Sequence, residues 1–190
     1  MIKTPSKTEL LETRKRLNKY IHQTPVFQST ALNEMAGCEL FFKAENLQKM
    51  GAFKMRGAMH AALQLSNEEQ KKGIATHSSG NFAQAMALSA KLLGIPAWAV
   101  MPSNAPQVKK DAVASYGATI IECEPTLEAR ENTLKKVIEK HGCTPLHPYN
   151  AIDVILGNST ATQEILEQIS HLDYIVAPVG GGGLISGTAL

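Results

Sequence analysis

Cysteine is scarce in this sequence: Cys38, Cys123 and Cys143 are the only three. They are isolated and odd in number, which argues against a disulfide framework or a zinc site and fits a reducing compartment. No charge of one sign dominates. The formal net charge is +2 with His neutral, and Lys and Arg are scattered, which argues against a nucleic-acid-binding face. No apolar run approaches the ~20 residues of a membrane-spanning helix. The N-terminus, Met1-Ile2-Lys3-Thr4-Pro5-Ser6-Lys7, lacks the apolar core of a signal peptide, so a cytoplasmic chain is expected. The histidines, at positions 22, 60, 77, 141, 147 and 171, show no metal-ligand spacing. Two glycine signatures are also missing. There is no spaced G-x-G-x-x-G opening a βαβ unit, and no Gly-Lys-Ser/Thr of a Walker loop.

What is present is a regular alternation. Ser6 to Tyr20 reads as an amphipathic helix, with Ser6 and Glu9 in capping-box register. Thr24 to Phe27 is extended, Ser29 to Met35 is a short helix stopped by Gly37, and Glu39 to Glu45 is a strand. A loop, Gln48 to Ala52, precedes a helix from Phe53 to Leu65. From Gly73 the pattern tightens into strands at 74–77, 97–101, 118–122 and 144–147. Helices at 82–93, 106–116 and 126–141 lie between them. Thr160 to Ser170 reads as a further helix, and Ile175-Val176-Ala177-Pro178-Val179 as a buried strand. Strands alternating with helices over short turns imply an α/β protein with a parallel sheet. Trp98, in a strand, is most simply core.

Three motifs could carry chemistry. In Gly51-Ala52-Phe53-Lys54-Met55-Arg56-Gly57-Ala58, a lysine stands at a helix start, an unfavourable place for a cation. Such a lysine is either solvated at the surface or used neutral, and a neutral lysine can form a Schiff base with an aldehyde. Ser78-Ser79-Gly80-Asn81 follows a strand and precedes a helix. It suits an ordinary N-cap and a carboxylate or phosphate cradle equally. Gly180 to Gly183 follow the last apolar run and precede a helix of 184–190. Four successive residues without Cβ let several backbone N–H groups face one anion, most often a phosphate, with a helix N-terminus adding partial positive charge.

In this order, the three motifs resemble the serine/threonine dehydratase and serine racemase family of pyridoxal-phosphate enzymes, of tryptophan-synthase-β-like fold type II. The resemblance runs from His22-Gln23-Thr24-Pro25 through Phe41-Phe42-Lys43-Ala44-Glu45-Asn46-Leu47-Gln48-Lys49 to the terminal glycines. It implies a two-lobed α/β fold with parallel twisted sheets and flanking helices. Residues 73–150 would form the small lobe. Residues 1–72 and 151–190 would form a large cofactor lobe, incomplete here.

By the same resemblance, Lys54 would bind pyridoxal 5'-phosphate covalently and then act as a base. Phe53 would pack beside the pyridine ring, Asn81 would bond its 3-oxygen, and Gly180, Gly181, Gly182 and Gly183 would hold the phosphate. Ser78, Ser79, Asn81 and Phe82 would meet the substrate, with Ser79 as proton donor on the opposite face. The implied reaction turns L-serine or L-threonine into a 2-oxo acid and ammonia. Serine racemisation and threo-3-hydroxyaspartate deamination are the close alternatives. The ligands of a divalent cation would lie beyond Leu190, and the full-length protein would be a homodimer acting on a small amino acid.

Four residues depart from the family pattern: Met50 replaces a usual threonine, Ala52 a serine, Phe82 a histidine and Ser159 a glycine. Two readings of other classes stand beside the enzyme: a non-catalytic fragment or binding module, and a nucleotide-binding oxidoreductase. The absent spaced-glycine fingerprint argues against the last.

Overall fold

The computed structural model describes residues 4–190. Met1-Ile2-Lys3, the start of the stretch read for a signal peptide, lie outside the described residues. Helix α1 (Lys7–Leu17) starts at Ser6, whose capping box with Glu9 is formed on both sides. Two short strands, β1 (Val26–Phe27) and β2 (Phe42–Lys43), pair antiparallel around α2 (Thr30–Ala36). Gly37, at φ 69°, ends α2. The strand expected over 39–45 shrinks to Phe42–Lys43. Glu45 instead opens a 3-10 turn and sends its carboxylate to Arg56.

Helix α3 (Lys54–Leu63) follows, then α4 (Asn67–Lys72), which the apolar pattern alone does not announce. It buries nothing, and its one signal is the capping box between Ser66 and Glu69. Next come β3 (Ile74–His77), α5 (Asn81–Leu93), β4 (Ala97–Pro102), α6 (Gln107–Ser115), β5 (Thr119–Cys123), α7 (Leu127–His141) and β6 (Thr144–Pro145). They build a parallel four-stranded sheet of order β5-β4-β3-β6. Side chains alternate between its faces, as the period of two requires. Ile74, Ala97, Ala99 and Met101 pack with Phe82, Ala83 and Met86 of α5. Ala75, Trp98, Val100 and Ile121 pack with Leu134 and Val137 of α7. Edge strand β6 is pinned from within the sheet, because the Thr76 hydroxyl donates to the Leu146 carbonyl at 2.8 Å.

A second layer joins α1 and α3 to α8 (Ile152–Gln168) and α9 (Gly183–Thr188). Helix α8 begins at Ile152, not at Thr160. Its first half holds a glycine because α3 crosses there. A Cβ on Gly57 would strike Val154 and Asn158, and a Cβ on Gly157 would strike the backbone of Arg56 and Gly57. Ser159, the departure from a glycine, sits comfortably inside the helix with its hydroxyl bonded to the Leu156 carbonyl at 2.6 Å.

This layer packs Leu17, Met55 and Met59 together and also buries charge. Arg56 is fully buried and reaches Glu45 and Glu164, the latter with both guanidinium NH groups at 2.6 and 2.8 Å. Lys43 Nζ also reaches Glu164, at 2.6 Å. Burial alone would push the Glu164 carboxyl up, but Arg56 and Lys43 hold it below its ordinary value. Removing one partner of such a buried group costs about 3–5 kcal/mol.

The run Ile175–Val179 is not a buried strand. Among the described residues it pairs with no other strand, and Val176 is 93% exposed. A parallel strand needs neighbours to take its backbone groups and layers to cover its faces. The run instead walls an open groove of about 1310 Å³, whose other walls include Phe41, Phe42, Phe53 and Ile165. Among the described residues no helix is long and apolar enough to cross a membrane.

Candidate functional site

Strands β3 and β6 run parallel with Ile74 beside Thr144 and Ala75 beside Pro145. Their carboxyl ends therefore open side by side, where α/β sheets place their ligands. His77 ends β3, and its ring stands edge-on to His147 at 6.2 Å. Beyond His77 lies the predicted turn. Ser78, Ser79 and Gly80 are half-buried and Asn81, the first residue of α5, is exposed. The Gly80 N–H donates to the Ser78 hydroxyl at 3.4 Å, the ordinary tight-turn bond.

Lys54 is the first residue of α3, as the sequence implies. Its ammonium donates to the Pro148 carbonyl at 2.8 Å. It lies 5.0 Å from the Phe53 ring centre and 5.8 Å from that of Phe82. Burial pushes its pKa below the usual lysine value. A partly desolvated amine between two aromatic rings gives up its proton more readily than a surface lysine, which is what a nucleophilic lysine needs. Lys54 is half-buried.

Phe82 itself is buried, packed into the apolar core. Met50, just upstream of Lys54, has φ 56° and is the one non-glycine residue with positive φ among those described. Such backbone strain collects at functional sites. Ala52, in place of a serine, is buried in extended backbone.

The glycine run leads into α9, which begins at Gly183 and is only six residues long. A helix this short contributes little dipole, so an anion there depends on the loop's own N–H groups. Gly182 has φ 85°, which favours glycine. At Gly180 a Cβ would meet nothing within 4 Å, so the chain itself gives no steric reason for glycine at that position. An anion drawn close to the backbone would supply one.

Sequence reasoning missed the segment that joins these parts, His147-Pro148-Tyr149. The Pro148 carbonyl receives Lys54, and the Tyr149 ring lies against Gly181. His147 Nδ1 accepts the Asn150 N–H at 2.9 Å. Burial, then His77 and Lys54, lower the His147 pKa, so the ring stays neutral more readily. The available signal is position: these residues follow a parallel strand at its carboxyl end, as Ser78–Asn81 do. Arg56 lies within the lysine motif in sequence, but in the fold it belongs to the buried charge network.

Comparison with known proteins adds an independent finding. The family profile described as "Pyridoxal-phosphate dependent enzyme" matches residues 17–190. A beta-hydroxyaspartate dehydratase of Paracoccus denitrificans is 48% identical over 98% of this chain and 59% of its own length. The crystal structure of a serine racemase from Dictyostelium discoideum is 50% identical, with a TM-score of 0.92, over 95% of this chain and 59% of that one. The processed form of threonine deaminase isoform 2 from Solanum lycopersicum is 32% identical, with a TM-score of 0.89, over 97% of this chain and 52% of that one. The chain thus spans somewhat more than half the length of these relatives. Its architecture is that of the fold type II enzymes among these neighbours.

Proposed function

The chain belongs to the pyridoxal-phosphate-dependent enzyme family, and on that premise we propose that it forms the cofactor-holding part of an ammonia-lyase. The substrate is a β-hydroxy amino acid, L-serine or L-threonine, and the products are a 2-oxo acid and ammonia. Serine racemisation and hydroxyaspartate deamination, named for the relatives, use the same residues. The observation that carries the reading is the Lys54 amine: half-buried, at a helix start, flanked by Phe53 and Phe82, with a lowered pKa.

The residues present fit the cofactor. Lys54 offers the amine, and Gly180 to Gly183 offer a loop with open space beside Gly180 and left-handed backbone at Gly182. When bound, pyridoxal phosphate supplies an aldehyde for that amine and a sink for the electron pair left at the substrate Cα. Phe53 would pack beside the pyridine ring and Asn81 would donate to its 3-oxygen. The Ser78–Asn81 turn, with Phe82, receives the substrate carboxylate. The Lys54 amine, in its neutral form, would take the α-proton. The Ser79 hydroxyl gives or takes a proton on the opposite face, and reprotonation there yields the racemised amino acid.

The lobes divide at residues 73 and 150. A cytoplasmic homodimer of the full-length protein completes the reading, and the free cysteines favour a reducing compartment. A divalent cation would take its ligands from outside these residues.

The test adds pyridoxal phosphate to the protein and scans for the absorption band of the lysine–cofactor linkage. Lys54→Ala is expected to lose the band, and a band that persists overturns the assignment. A second reading, favoured by the exposure of Ile175–Val179, is that these residues bind the cofactor without turnover. Product analysis with serine, threonine and hydroxyaspartate separates the two: a band with neither a 2-oxo acid nor the opposite enantiomer formed supports the binding-only reading.

A further inference from the structure

The four glycines do not share one reason for being glycine. Gly182 alone has a φ that disfavours other residues, at 85°. Gly180 has open space where a Cβ would stand. Gly181 has neither property. Its backbone suits an ordinary residue, yet a Cβ there would collide with Cγ, Cδ1 and Cδ2 of Tyr149, the three nearest atoms. A Cβ on Gly183 would meet Cα, Cβ and O of the same tyrosine, at 2.9–3.0 Å. The Tyr149 ring therefore packs directly on the Gly181 backbone, and its main chain packs on Gly183.

We propose that Tyr149 is a positioning residue that sets the shape of the glycine run, and that Gly181 is glycine to admit its ring. Tyr149 is itself held in place. The Tyr149 and Asn150 N–H groups converge on His147 Nδ1, at 3.4 and 2.9 Å. The His147 ring stands edge-on to the tyrosine at 4.6 Å. The preceding carbonyl, of Pro148, accepts Lys54 Nζ. One short strap thus fixes the reactive amine with a carbonyl and the anion cradle with a ring. Distance between the two is set by Pro148-Tyr149 and not by the long chain path from Lys54 to Gly180. The contact uses the ring and not the hydroxyl, so phenylalanine can replace tyrosine and alanine cannot.

What the cradle holds rests on the proposed function, but the packing does not. The experiment therefore reads two quantities on the whole chain. The first is hydrogen exchange without cofactor at the Ser186 N–H, which donates to the Gly182 carbonyl at 2.9 Å. The second is affinity for pyridoxal phosphate and for pyridoxal, which lacks the phosphate.

Tyr149→Ala is expected to speed exchange at the Ser186 N–H and weaken pyridoxal phosphate about tenfold, while pyridoxal stays within about twofold. Tyr149→Phe restores both. Gly181→Ala alone weakens pyridoxal phosphate comparably, and in the Tyr149→Ala background it adds less than about twofold, because the collision has gone. Additive effects of Gly181→Ala and Tyr149→Ala overturn the proposal, as does unchanged exchange in Tyr149→Ala or a loss in Tyr149→Phe. If the unaltered chain binds neither compound, the cofactor reading fails. Exchange in the single and double variants then still decides the role of Tyr149.

Discussion

Ile74-Ala75-Thr76-His77 and Ile175-Val176-Ala177-Pro178-Val179 are both short apolar runs that lead through a small-residue turn into a helix. The first is strand β3, flanked by β4 and β6, with Ile74 and Ala75 fully buried. In the second, Val176 is 93% and Val179 67% exposed. Local sequence is alike and tertiary company is not. A parallel strand gains its stability from its neighbours, so an apolar run without them stays a wall of a groove. The contrast extends to the surrounding layers. The sheet layer is held by a large apolar cluster around α5. The α3–α8 layer beside the groove shares that cluster through Ala58, Ala62 and Val154 and adds buried charge: Arg56, Glu45, Glu164 and Lys43.

Arg56→Leu should have the largest effect. It leaves Glu164 buried with one partner fewer, and chemical denaturation should show a loss of about 3–5 kcal/mol. The pH dependence has the same origin. The Glu164 pKa is lowered in the fold, so its stabilisation is present above the ordinary carboxyl value of 4.5 and is lost as pH falls through the folded value. Acid titration followed by exchange should therefore loosen α3 and α8 before the β3–β4 pair. Simultaneous loss would erase the distinction between the layers.

Next in size is the direct comparison of the two runs. Ile74→Ala should cost about 2–5 kcal/mol as a buried truncation. Val176→Ala should stay within about 0.5 kcal/mol, as an exposed substitution does. Equal costs, read from denaturation midpoints, would mean that Ile175–Val179 is covered in solution.

The smallest effect concerns the caps. Ser6→Ala removes the capping box of α1, which packs on α8, and should cost about 1 kcal/mol globally. Ser66→Ala does the same to α4, which buries nothing. It should raise local exchange there and leave the melting temperature unchanged.

The legible parts of this molecule are those whose information is local. Gly37, Gly94 and Gly142 stop helices in left-handed backbone, as their positions suggest. The sheet strands can be read because each lies between helices of ordinary length. The start of α8 cannot, because Gly157 is there for a crossing with Gly57, a contact between residues distant in sequence. Lys54 and Ser78–Asn81 stand out as motifs, whereas Tyr149 does not. Its role depends on a glycine more than thirty positions away, and nothing near Tyr149 in sequence signals it.

Thr76 has a consequence of its own. Strand β6 is two residues long, and Pro145 has no N–H to give the ladder. A strand so short can slide, and a slip of one residue would turn every following side chain to the opposite face. The Thr76 hydroxyl on the Leu146 carbonyl, with the Leu146 N–H on the Ala75 carbonyl, acts as a detent against that slip. The accuracy with which Pro148 meets Lys54 is thus set at Leu146, two residues upstream, by a threonine on the neighbouring strand.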